Sequence, residues 1–142
     1  MKVASIMTRE FVSVSLDDTL FTIKTIFDNA NFHHLLVVDD NQLSGVISDR
    51  DLLKALSPNI DTAAERTRDL ATLNKKAHQI VNRKLATLSA DASVFDAIDI
   101  FNNTKMSCIP IIDEKRKPVG ILTWRDIMKT LGKRNTEKKQ MA

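Results

Sequence analysis

The chain repeats itself. Sliding it by 74 residues lays IMTREFVSVSLDDTLFTIKTIFDNANFHHLLVVD, residues 6–39, over IVNRKLATLSADASVFDAIDIFNNTKMSCIPIID, residues 80–113, with nine of 34 positions identical. Past a one-residue insertion the offset becomes 75, and GVISDRDLLKAL, residues 45–56, meets GILTWRDIMKTL, residues 120–131, with five of twelve identical. Apolar positions agree more often than identities do: Phe21 with Phe95, Ile26 with Ile100, Phe27 with Phe101, Val37 and Val38 with Ile111 and Ile112. Such a repeat means two copies of one supersecondary unit, each of a size that makes a lone core marginal.

Each copy reads in the same order. FVSVS and LATLS alternate as strands do and end at polar turns holding Asp17 and Asp91. Leu20, Ile23, Ile26 and Phe27 in the first copy, and Val94, Ala97, Ile98 and Phe101 in the second, recur at the spacing of an amphipathic helix. Ser93 with Asp96 predicts a capping pair at the start of the second of these helices. HLLVVD and CIPIID are short and continuously apolar, the pattern of buried strands. A turn, a strand ending in GVIS or GILT and a short helix complete a strand, helix, strand, strand, helix unit. The expected class is α+β, with pseudo-symmetric units at 3–56 and 77–131 docked as one pair. Between them lies 57–76, where Leu70 and Leu73, with Ala77 and Ile80 just beyond, predict a connecting helix.

Composition narrows the function. Of 142 residues, 43% are hydrophobic and 27% charged, an ordinary globular balance. No apolar run is long enough to span a bilayer and MKVASIMTREFV lacks the apolar block of a signal peptide, so the expected setting is the cytoplasm, away from membranes. The segment 132–142 carries four Lys or Arg and one Glu, a net +3 that equals the charge of the whole chain and leaves residues 1–131 neutral. That is the pattern of a frayed, solvated basic tail, and no nucleic-acid partner is expected. The three glycines, Gly45, Gly120 and Gly132, form neither a phosphate loop nor a dinucleotide fingerprint. His33 and His34 are adjacent in an expected strand and point to opposite faces, so no metal site is expected. No nucleophile motif is present, and Cys108 in an apolar strand reads as inert core, so the chain is not expected to be an enzyme.

What remains is the repeated polar set, in which Ser48 and Asp51 return as Thr123 and Asp126. A hydroxyl followed three residues later by an acid is a helix cap. The same arrangement also offers backbone amides to an anion and a carboxylate to the hydroxyls of a ribose. Arg50 and Arg125, each directly before the acid, could meet phosphate, which capping alone does not call for.

FHHLLVVDDNQLSGVISDRDLLKAL and MSCIPIIDEKRKPVGILTWRDIMKTL resemble the second halves of two CBS domains, the modules named after cystathionine beta-synthase, and IMTREFVSVS resembles the opening of such a domain. The likeness implies a pseudo-twofold pair, a Bateman module, with two clefts that in many members bind AMP, ADP, ATP, S-adenosylmethionine, a reduced nicotinamide dinucleotide or cyclic di-AMP. Carried over by position, the family's hydroxyl and ribose-binding acid fall on Ser48 and Asp51, then on Thr123 and Asp126. Contacts near the first strand fall on Thr8 and Ser13, and on Asn82 and Thr87. Those before the buried strand fall on His33 and His34, and on Ser107 and Cys108. Two positions depart from the pattern: Leu36 stands where Pro110 keeps the usual proline, and Asn82 stands where Thr8 keeps the usual threonine. The first copy retains more of the polar set, which favours the cleft containing Asp51. The resemblance implies a regulatory module that needs no cofactor, binds an adenosine-containing ligand and passes its occupancy to a regulated protein or through a homodimer. The alternative is a structural dimerisation or adaptor protein with vestigial clefts, whose Ser, Thr and Asp residues serve only as caps.

Overall fold

The structure, a computed structural model, describes residues 1–141. The chain adopts the expected α+β class with two like units, yet neither compact unit is one sequence repeat. Residues 12–84 form one, and residues 1–11 join the chain from 85 onward to form the other.

In the unit of residues 12–84, β1 (Ser13–Val14) runs parallel to β2 (His34–Asp39), which pairs antiparallel with β3 (Gln42–Ser48). The β2–β3 turn is Asp40 and Asn41, both at positive φ (49° and 62°), where Asp and Asn are tolerated and the twist suits a two-residue hairpin. Helix α1 (Leu20–Asp28) begins at Thr19, whose hydroxyl accepts the Thr22 amide, and α2 (Asp49–Ala55) follows β3 directly. Leu20 and Ile23 of α1 and Leu52 of α2 are buried with Val14, Leu35, Val37, Ile47 and Ala77 in one core. Burying such side chains contributes about 1.5–3 kcal/mol each.

In the other unit, α4 (Val94–Asn103) is held at its start by the expected pair: Asp96 Oδ2 accepts the Ser93 amide at 3.2 Å and Ser93 Oγ accepts the Phe95 amide at 3.2 Å. Strands β4 (Cys108–Ile112) and β5 (Pro118–Thr123) form an antiparallel hairpin, and α5 (Trp124–Met141) follows. Val3, Met7, Val94, Ala97, Ile109, Ile111, Leu122 and Ile127 make its core.

Three expectations need correction. The LATLS strand is reduced to one bridge, Leu88 to Ile111, because Pro110 has no amide to donate. At the matching place in the first copy, Leu36 donates to Val12 O at 3.0 Å. The connecting helix breaks up: α3 covers only Thr67–Leu70, and 3₁₀ turns follow at Ala71–Asn74 and Ala77–Gln79. Buried Asp69 draws the segment inward by accepting from Ser57 Oγ at 2.6 Å and Arg66 N at 2.8 Å, and Lys75 leaves the helical region with ψ at 153°. Finally, the basic tail is exposed as expected but helical, since α5 continues to Met141 with Lys138 and Lys139 in its last turn, where cations favour the helix dipole.

Candidate functional site

The repeated glycines explain how the units are built. A Cβ on Gly45 would collide with Asn82 O and Val81 Cγ2, and one on Gly120 would stand 2.8 Å from Met7 Sδ and 3.0 Å from Thr8 O. Each glycine therefore lets the opening segment of the opposite repeat lie against its strand. Val46 and Asn82 exchange amide hydrogen bonds of 3.1 and 3.0 Å, and Thr8 and Ile121 exchange bonds of 2.8 and 2.9 Å. Thr8 and Asn82 thus occupy the reverse of the places that sequence order assigns them. Thr8 joins the unit of Thr123 and Asp126, and Asn82 joins that of Ser48 and Asp51.

Around Asp51 the cap is reciprocal. Ser48 Oγ accepts the Asp51 amide at 3.0 Å, and Asp51 Oδ2 accepts the Ser48 amide at 3.0 Å. No described residue donates to Asp51 Oδ1. No buried side-chain oxygen or nitrogen among the described residues lacks a partner, so this oxygen meets solvent. His34 pairs across the sheet with Ser48, and burial holds its imidazole below the ordinary value of 6.5 against the pull of Asp49 and Asp51. His33 Nδ1 lies 2.8 Å from Asp49 Oδ2. Arg50 is exposed and makes no ion pair among the described residues.

Around Asp126 the cap is denser. Asp126 Oδ2 accepts the Thr123 amide at 2.9 Å and the Thr123 hydroxyl at 3.2 Å, while Asp126 Oδ1 accepts the Thr8 hydroxyl at 3.2 Å. Cys108, opposite Thr123 and 4% exposed, has its thiol pushed up to about 12 by burial and by the charge of Asp126. Arg125 is exposed.

The remaining candidates lie apart from these carboxylates. Ser13 is exposed on β1 beside Leu36. Thr87 lines an open groove of about 900 Å³ with Met7, Arg9 and Lys115. Ser107 lines another of about 510 Å³ with Phe101, Trp124, Met128 and Leu131. Sequence reasoning missed two contacts, His33 with Asp49 and Thr8 with Asp126. The first was within reach, because a hairpin that opposes His34 to Ser48 brings the flanking residues together. The second was not, because it depends on the exchange of the opening segments.

Known proteins share the repeated architecture. The family model of the CBS domain matches residues 3–58 and 77–133. An uncharacterised protein of Methanocaldococcus jannaschii is 28% identical over 131 residues, which cover 92% of this chain, and the chain spans 40% of that relative's length. A CBS domain pair solved in complex with 5′-methylthioadenosine and S-adenosyl-L-methionine superposes with a TM-score of 0.75 at 24% identity, covering 92% of this chain and 99% of the other. The cytosolic domain of the Mg²⁺ channel MgtE, solved in complex with ATP, superposes with a TM-score of 0.70 at 22% identity, covering 91% of this chain and 48% of the other.

Proposed function

Since this chain belongs to the CBS domain family, which matches it at 3–58 and 77–133, we propose that it is a regulatory module that binds an adenosine-containing ligand through Asp51. The observation that carries the reading is the state of that carboxylate: the Ser48 amide fixes Oδ2, and Oδ1 faces solvent with no donor among the described residues. A ribose diol supplies two hydroxyl donors, which is what such a carboxylate accepts. His33, His34 and Arg50 stand in the same unit and would meet the phosphates of AMP, ADP or ATP, or the amino-acid part of S-adenosylmethionine. The ligands bound by the two similar structures support the class.

A ligand that binds one conformation better than another shifts the population by that difference in affinity and no more. The proposed readout is a homodimer or a regulated partner protein. The same positions in both copies expose large apolar side chains on the helices: Phe21 at 60% and Phe95 at 71%, Leu53 at 72% and Met128 at 64%. Apolar surface retained twice at equivalent places favours a second copy as its cover.

The competing reading is a scaffold in which the repeated pairs only cap helices, and the reciprocal cap between Ser48 and Asp51 favours it to that extent. Melting the protein with AMP, ADP, ATP or S-adenosylmethionine separates the two. A rise that saturates with one of these ligands and is lost in Asp51→Ala supports the regulatory module. No shift with any of them supports the scaffold.

A further inference from the structure

The two repeated carboxylates share a cap and differ in what remains of them. A carboxylate has about four acceptor positions, and the two hydroxyls of a ribose need two of them. Asp51 has one in use, by the Ser48 amide. Asp126 has three in use, by the Thr123 amide, the Thr123 hydroxyl and the Thr8 hydroxyl. The difference on the outer oxygen is Thr8. Its counterpart by repeat offset, Asn82, does not play this part: its Oδ1 accepts the Lys84 amide at 3.1 Å, its side chain is exposed, and among the described residues its Nδ2 makes no hydrogen bond to Asp51. Thr8 is no mobile arm either: its backbone bonds Ile121 in both directions, at 2.8 and 2.9 Å, which holds its Cα and Cβ within hydroxyl reach of Asp126.

We infer that Thr8 makes the two sites unequal: by donating to Asp126 it takes the acceptor that a ribose needs, so the chain binds one adenosine ligand, at Asp51. The Thr8-to-Asn82 difference between the repeats produces this asymmetry, and the exchange of opening segments decides which acid meets the threonine. Had Thr8 stayed with its own repeat it would face Asp51, and the receptive site would be the other one. The surroundings differ in the same direction. His33 and Asp49 form a polar pair near Asp51, while their counterparts Ser107 and Trp124 line an apolar groove.

The inference rests on the adenosine-binding reading, and calorimetric titration of the full chain with AMP, ATP and S-adenosylmethionine in turn tests both. Wild type is expected to take up one ligand per chain. Thr8→Val keeps the shape and removes the donor, so it should reveal a second ligand per chain, with affinity at that site raised by about tenfold or more. Adding Asp126→Ala to Thr8→Val should return the count to one. Thr8→Ser, which retains a hydroxyl, should stay at one, and Thr8→Ala takes the place of Thr8→Val if the latter fails to fold. Two ligands per wild-type chain, or a count that stays at one in Thr8→Val and Thr8→Ala at a hundredfold excess over Kd, overturns the role of Thr8 and leaves adenosine binding standing. No heat with any of the three ligands, in wild type or variant, overturns the adenosine reading and this inference with it.

Discussion

Gly45 faces the carbonyl of Asn82 across a gap that holds no methyl group, since an added Cβ would collide with that oxygen and with Val81 Cγ2. Neither neighbour yields easily: one is backbone held by two hydrogen bonds to Val46, the other a stiff β-branched side chain. Gly45→Ala should destabilise the protein by about 2–3 kcal/mol, the upper part of the range for overpacking. Gly120→Ala should cost less, about 1 kcal/mol, because its nearest contact is flexible Met7. Urea denaturation of both variants checks the order. A Gly45→Ala protein as stable as wild type would mean that the 81–82 segment does not lie against β3.

Cys108 is 4% exposed, and burial together with Asp126 pushes its thiol up to about 12. The thiolate is the reactive form, so at pH 8 only a minute fraction is available, and that fraction is shielded. Labelling by a disulfide reagent should follow the rate of unfolding and accelerate in urea. Stoichiometric labelling within seconds of mixing in native buffer would place Cys108 at the surface instead.

Much of this fold was legible because the repeat is a constraint on every element at once. The spacing of Leu20 and Ile23, and of Val94 and Ala97, announced the helices whose buried faces these are, and HLLVVD and CIPIID announced the buried strands. Local pattern failed where distant partners decide. The apolar spacing of the linker was real, but the buried carboxylate of Asp69 with Ser57 and Arg66 bends that segment. The partners of Asp51 and Asp126 within their own caps could be read three residues apart. Which opening segment would sit beside each acid could not, because the positions that matter, Gly45 with Asn82 and Gly120 with Thr8, are joined by packing of one repeat's opening on the other's strand.

Asp51→Ala separates ligand binding from capping. On the proposed reading the carboxylate accepts from the ribose, and its loss should cost about 1.5–3 kcal/mol of binding, roughly ten- to a hundredfold in affinity for AMP, ATP or S-adenosylmethionine. As the acid of the first turn of α2 it contributes about 0.3–1 kcal/mol to stability. Calorimetry and urea denaturation on the same variant read the two separately. A loss of stability alone, with affinity for a demonstrated ligand unchanged, would assign Asp51 to the cap.

His34 gives the folded protein a pH dependence whose sign follows from its surroundings. It lies in β2 opposite Ser48, and burial lowers its imidazole below 6.5. Asp49 and Asp51 pull the other way, and the neighbouring His33 adds to the lowering. Unfolding returns the ring to its ordinary value. Between the folded value and 6.5 the unfolded chain therefore holds more protons, and stability must rise with pH across that window. Acidification below 6.5 should cost stability until the folded value is passed, by about 1.4 kcal/mol for each unit of displacement. Denaturation midpoints from pH 5 to 8 should fall more steeply toward acid in wild type than in His34→Gln, with the two profiles converging in slope above pH 7. The comparison variant is His33→Gln, because His33 is exposed and bears on Asp49 rather than on the sheet. Parallel profiles for wild type and His34→Gln across the whole range would mean that the ring is not held neutral by burial. The same titration bears on the site: protonating His34 sets a cation in the unit that holds the open oxygen of Asp51, so a ligand with phosphates should gain affinity as pH falls, while one without them should not.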